Sequence, residues 1–329
     1  MSRQRLKTPS SDSTPPEQVP LVDPKGREDS LLLHWDQVPE WQRDNRYILT
    51  GYRRATYSYR KAIGSLAYLH NQTGNIFSHL LAIPTLVTAS VVAYHVQEVP
   101  LTSVDCVILA LFVFGASTCF LLSTSFHTFA CHSPTVEELW VRVDFTGIII
   151  ITATTFVAGE YYLFYCEKTR MIIHFVTVSA ARARPLSVPS VVEPAPEMQT
   201  VSLAVLTVIV LLTPRFQGPD YRTFRLICFC LMGISGFVPM IDSLAHYGWE
   251  HSKRYSIGYY LVEMLLELLG AATYGCRVPE RFAPGKFDIW GHSHQFFHLF
   301  SAAAALVHLA GLANALRTTR SFDRCAVGF

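Results

Sequence analysis

Charge is what this 329-residue chain most lacks: only 16% of its residues are Asp, Glu, Lys or Arg, where a soluble domain usually has about 25%. Hydrophobic residues make up 50%. That balance excludes an ordinary soluble domain and predicts an integral, multi-pass membrane protein. A basic excess is also missing, and a net charge of +2 gives no electrostatic reason to expect nucleic acid as a partner. The eight cysteines form no Cys-x-x-Cys pair, and most lie in or beside apolar runs. They read as small hydrophobes rather than a disulfide framework or a zinc knuckle. The opening MSRQRLKTPSSDSTPPEQVP contains no apolar run, so no cleavable signal peptide is expected.

What is present falls into blocks. Residues 1–30 are rich in Ser, Pro and charge, which predicts a disordered tail. Residues 31–72 are aromatic and basic, with Arg43, Arg46, Arg53, Arg54, Arg60 and Lys61 among Trp and Tyr. This juxtamembrane segment is expected to lie against an anionic membrane surface. Apolar spans then follow over 73–316, before a short C-terminal tail at 317–329. A hydrocarbon core about 30 Å thick needs roughly 20 helical residues. Ile76–Val96, Val104–Phe126, Val141–Phe164, Phe224–Leu244, Ile257–Tyr274 and Trp290–Leu312 qualify, and a fourth span near Thr200–Leu212 would bring the number to seven. The stretch before the first span holds 11 of the 27 Lys and Arg, whereas Gln97–Ser103 has none. That asymmetry favours a cytoplasmic N-terminus, an orientation to which the other loops add nothing.

The fourth span is irregular. Thr-Val-Ser occurs at Thr177–Ser179 and again at Thr200–Ser202, with Arg182, Arg184 and several prolines between the copies. No lipid-exposed helix tolerates those residues. Without Thr177–Gln199 the flanks join into MIIHFVTVSLAVLTVIVLL, which is of spanning length. Residues 177–199 therefore read as a Pro-rich insertion, either a lineage-specific loop or a retained intron, on the outer side and far from His127.

The last span begins WGHSHQFFHLF, and histidine is costly in hydrocarbon without a partner. His294 and His298 are four apart and share a helix face. His292 is about 200° round from His294. His308 lies about 15 Å deeper than His298, too far to share an ion. Zinc takes three protein ligands in catalytic sites and four in structural ones, so others must contribute. His127 ends the second span one turn after Ser123, and Asp144 opens the third. The end of an even-numbered span and the start of an odd-numbered one lie on the N-terminal side, so all these side chains reach one level, the cytoplasmic edge. Taken singly, each has a plainer explanation. His127 would be an interfacial histidine bonded to a carbonyl, the His294–His298 pair helix packing, and Asp144 a helix cap or a partner of Arg142. Their common depth points to a metal. His132 and His292 stay interfacial. Glu263 and Glu267, four apart in the sixth span, are suspects in their own right but stay outside this site.

WDQVPEWQRDNRYILTGYR, LHNQTGNIFSH, Ser-x3-His followed by FACHS, VDFTG, and RVPERFAPGKFDIWGHSHQFFHLF together resemble the progestin and adipoQ receptor family. This family lies in the haemolysin III superfamily and contains the adiponectin receptors; the fungal osmotin-receptor and zinc-homeostasis branch looks most similar. The resemblance runs from Trp35 to Leu312. It implies an all-α fold of seven transmembrane helices, a cytoplasmic N-terminus and Zn²⁺ near the inner face. The implied ligands are His127, His294 and His298, with Asp144 and Ser123 beside them as catalytic groups.

Three neutral histidines leave zinc one open position, where water has a pKa of about 7 rather than about 15.7. The resemblance points to amide hydrolysis of a ceramide-like lipid. A receptor with a structural zinc and an outer-face protein ligand is an alternative, and a zinc transporter is another.

Overall fold

The computed structural model describes residues 31–97, 99–179 and 221–321, with positions 209, 213 and 216 between the last two stretches. Helices dominate: α1 (Tyr59–Gly64), α2 (Thr73–His95), α3 (Ser103–Phe129), α4 (Pro134–Leu163), α5 (Lys168–Ser179), α6 (Arg222–Ile234), α7 (Phe237–Arg254), α8 (Ile257–Cys276) and α9 (Ser293–Ser321). Among the described residues, five segments are long and apolar enough to cross a membrane: α2, α3, α4, the combined α6–α7 stretch Arg222–Arg254, and α9 as far as Arg320. The chain is a multi-pass membrane protein. At α8 the expected sixth span is helical, but Glu263 and Glu267 lower its hydropathy, and it falls outside those five.

Several helix ends differ from expectation for local reasons. α3 starts at a capping box in which Thr102 Oγ1 accepts from Asp105 N at 3.3 Å and Asp105 Oδ2 accepts from Thr102 N at 2.9 Å. α4 begins at Pro134, seven residues before the expected Val141, because proline suits the first helical position. Asp144 therefore sits in the third turn and does not cap the helix. α9 begins at Ser293, after Gly291 at φ +79°. Glu280 Oε2 accepts from Ser293 N at 2.8 Å, and Gln295 Oε1 accepts from Gly291 N at 2.7 Å, which satisfies donors that a bare helix start would leave open. The expected fifth span is two helices, broken at Ser235–Gly236, a pair that commonly kinks helices.

The core joins α2, α3, α4 and α9 through Leu86, Phe112, Phe120, Tyr162, Leu312 and Leu316. α3 and α4 approach closely: a Cβ on Gly147 would lie 3.0 Å from Cys119 Cα. Small residues at such crossings let helix backbones meet, here one turn from Asp144.

The juxtamembrane segment departs most from its expected form. Strands β1 (Leu32–Leu33) and β2 (Tyr52–Arg53) pair antiparallel, and together with short 3₁₀ turns and α1 they form a small folded layer over one end of the bundle. Asp288, from the α8–α9 loop, accepts from Leu49 N at 2.9 Å and Thr50 N at 2.8 Å. Arg53, expected at the lipid surface, is only 3% exposed. The other surprise is Cys166, just beyond α4, which is disulfide-bonded rather than a buried hydrophobe. The predicted insertion reaches the described residues only at Thr177–Ser179, the last turn of α5. Its remainder and the expected fourth span lie outside the described residues, apart from helical Ile209.

Candidate metal centre

His127 lies in the last turn of α3, and His294 and His298 in the first two turns of α9. The packing of these helix ends brings the three rings together: one ring nitrogen from each lies within 4.8 Å of the others. His294 Nε2 and His127 Nε2 are 3.1 Å apart. Two nitrogens bound tetrahedrally to one zinc at about 2.0–2.1 Å are separated by roughly 3.3 Å, so this spacing fits a shared ion.

The ring orientations fit as well. His127 Nδ1 is 2.9 Å from Gln72 Oε1, and His298 Nδ1 is 3.0 Å from the Asn75 carbonyl. An Nδ1–H donating to each acceptor leaves Nε2 as the lone-pair nitrogen, the arrangement that metal-binding histidines usually have. Ser78 Oγ also lies 3.2 Å from His298 Nδ1. The His79 ring stacks on His298 with centroids 3.8 Å apart and planes at 10°. Ring nitrogens in parallel planes do not converge on one ion, so His79 forms a wall of the site rather than a ligand. Gln72, Asn75, Ser78 and His79 all come from the start of α2, and no spacing in the sequence marks any of them singly. The only signal was their place within LHNQTGNIFSH.

Arg53 fixes His127 from outside. It donates to the carbonyls of His127 at 2.6 Å and Thr128 at 3.0 Å, and to Ser65 Oγ at 2.9 Å. A cation at a helix C-terminus satisfies open carbonyls and complements the dipole. Burial pulls the guanidinium below its ordinary range, and these three acceptors offset that cost. Nearby His70 is pushed down to about 3 by burial.

Ser123 and Asp144 line the same cavity of about 270 Å³ as His294 and His298. Ser123 is within hydrogen-bonding reach of the Asp144 side chain. Arg142 reaches Glu138 at 3.9 Å, on the other side of its helix from the cavity.

The remaining candidates go elsewhere. His292, expected at the interface, is buried and pairs with Asn71 and Gln295. His132 lies beside Ser133 and Tyr59. His308 pairs with Glu263, and Glu267 accepts from Ser301, so both glutamates line the cavity and pair with residues other than the three histidines.

A family model described as haemolysin-III related matches residues 67–192 and 196–309. The chain is 36% identical over 288 residues to an ADIPOR-like receptor of Saccharomyces cerevisiae, covering 86% of this chain and 83% of that one. It is 33% identical over 297 residues to the adiponectin receptor protein of Drosophila melanogaster, covering 90% of this chain and 62% of the relative. It is 32% identical over 286 residues to heptahelical transmembrane protein 1 of Arabidopsis thaliana, covering 85% and 79%.

Proposed function

This chain belongs to the haemolysin-III-related family, and from that membership and the histidine geometry we propose that it is a seven-helix zinc protein of adiponectin-receptor type that hydrolyses the amide bond of a ceramide-like lipid. The observation that carries the proposal is the convergence of His127, His294 and His298, with Nδ1 of His127 and His298 facing acceptors. These three side chains would hold the ion. A zinc ion there supplies Lewis acidity and activates water near neutral pH.

The other groups each have a task. An Asp144 carboxylate oxygen takes the proton of the attacking water and returns it to the leaving nitrogen. Ser123 Oγ–H donates to Asp144 and keeps that oxygen aimed at the histidines. Phe145, Ile148, Ile151, Leu226 and Phe229 line the cavity and suit an acyl chain while excluding water.

The topology has its own support. A relative is named heptahelical, and α8 with one span outside the described residues would raise the five apolar segments to seven. The Cys166 disulfide lies at the opposite end of α4 from the histidines. Disulfides persist on the oxidising side of a membrane, which favours a cytoplasmic histidine end and N-terminus.

One observation favours a signalling receptor with a structural zinc: Arg53 ties the folded N-terminal layer directly to the His127 carbonyl. An outer-face protein ligand is the partner that reading requires. The two readings are separated by zinc content and labelled-ceramide turnover of purified protein, wild type beside His294→Ala. The proposal expects zinc and turnover in wild type and the loss of both in the variant. Zinc without turnover in wild type favours the receptor.

A further inference from the structure

The cavity beside the histidines continues well beyond them. Along α9 its wall is formed by His294, His298, Ser301, Ala305 and His308, which fall within an arc of about 80° at 100° per residue. Across from them α8 contributes Tyr260, Glu263 and Glu267, and α4 contributes Glu160. Glu160 is 16 positions after Asp144 on α4, about 24 Å at 1.5 Å per residue. The far end is therefore a separate place from the metal centre.

Polar side chains gather there. His308 Nδ1 is 2.7 Å from Glu263 Oε2, and the His308 and Tyr260 ring centroids are 5.2 Å apart. Gly159 closes the group: a Cβ there would lie 3.7 Å from His308 Cε1 and 3.9 Å from Tyr260 Oη. Three atoms of this group have no hydrogen-bond partner among the described residues: His308 Nε2, Tyr260 Oη and Glu160 Oε2. Their residues are only 2%, 7% and 7% exposed. Buried polar atoms are costly to leave unpaired, and three of them lining the far end of one cavity, from α4, α8 and α9, point to a ligand.

The chemistry of the three atoms selects the ligand. With Nδ1–H donating to Glu263, His308 Nε2 offers a lone pair. Glu160 offers a carboxylate oxygen, and the Tyr260 oxygen also accepts. Among the described lining residues there is no lysine, and Arg222 and Arg225 donate to the carbonyls of Tyr274 and Phe216 near the histidine end. Three acceptors match the three N–H bonds of a primary ammonium, whose charge offsets the desolvation of Glu160. Ile151, Phe156 and Met264 line the same cavity and give an alkyl chain an apolar path.

We propose that the far end of the cavity binds the ammonium group of a single-chain primary-amine amphiphile, held by Glu160, Tyr260 and His308, with Glu263 fixing the His308 tautomer. The site shares no residue with the metal centre, so it stands or falls apart from the hydrolase reading.

The test uses the full chain in phosphatidylcholine nanodiscs, with dodecylamine and dodecanol as probes and protein-free discs subtracted. Wild type should bind one dodecylamine per chain, at least tenfold more tightly than dodecanol. Glu160→Gln should lose at least tenfold for the amine and leave dodecanol binding and zinc content unchanged. Tyr260→Phe removes only an unpartnered oxygen and should weaken the amine severalfold without disturbing the fold. Gly159→Ala meets only ordinary contacts and should also weaken the amine, which keeps the test open if Glu160→Gln does not fold. Equal affinity for amine and alcohol overturns the proposal. So does amine binding that none of these substitutions changes, since the three atoms would then hold only water.

Discussion

Two polar clusters lie at the two ends of one cavity and follow opposite plans. At the histidine end, His127 and His298 each have Nδ1 against an acceptor from the start of α2, and Arg53 holds the His127 backbone. At the far end, among the described residues, His308 has one hydrogen-bond partner, Glu263, while its other nitrogen, Glu160 Oε2 and Tyr260 Oη are unpaired. The residue types overlap and α9 serves both, so the difference comes from the neighbours. Among the described residues, the start of α2 supplies side-chain and carbonyl acceptors to the first cluster and none to the second. Saturated outer nitrogens preorganise a fixed ion site, whereas unpaired acceptors leave room for a ligand that comes and goes.

The sharpest way to probe the first cluster is Asp144→Asn. Zinc content should be retained while ceramide hydrolysis falls about 10²–10⁴-fold, because the amide cannot accept the proton. Hydrolysis at the wild-type rate would remove Asp144 from proton transfer. Arg53→Ala tests how far the cluster depends on the folded N-terminal layer. Leaving two buried carbonyls and Ser65 without their donor should cost about 3 kcal/mol, seen as a lowered melting temperature. Arg53→Lys should recover only part of it, since an ammonium does not reproduce the guanidinium fork.

Gln72→Leu removes the acceptor facing His127 Nδ1 and should lower zinc affinity about 10–100-fold in chelator competition. Dodecylamine binding should not change, and a parallel loss of both would erase the distinction between the clusters. The smallest effect is one of pH. The unfolded chain protonates His70 near its ordinary value, while burial in the folded chain delays protonation to about 3. The stability held above pH 6.5 is therefore lost as pH falls towards 3, by at most about 1.4 kcal/mol per unit. His70→Asn retains an acceptor for the Gln72 N–H and should flatten the melting temperature between pH 6.5 and 4.5.

The sequence carried the histidine trio because helical geometry is local. Spacing four apart fixes a shared face, and the alternation of spans fixes which helix ends meet. It did not carry the acceptors that orient the rings, since Gln72 and Asn75 acquire that task only when α2 packs against α3 and α9. The burial of Arg53 is not legible, because a basic aromatic stretch has the same pattern whether it covers a membrane surface or the ends of a helical bundle. The α6–α7 break is hidden by continuous hydropathy, and the Cys166 disulfide by cysteines whose scattered spacing carries no pairing signal. Glu263 was visible as a costly intramembrane carboxylate, but its pairing with His308 depends on the crossing of α8 and α9.

The most direct test of the account is the zinc content of purified, folded protein prepared without added metal. The account predicts about one zinc per chain in wild type, near-complete loss in His127→Ala, His294→Ala and His298→Ala, and no change in Glu160→Gln. A folded wild type without zinc, or zinc retained when each of the three histidines is replaced, would contradict it.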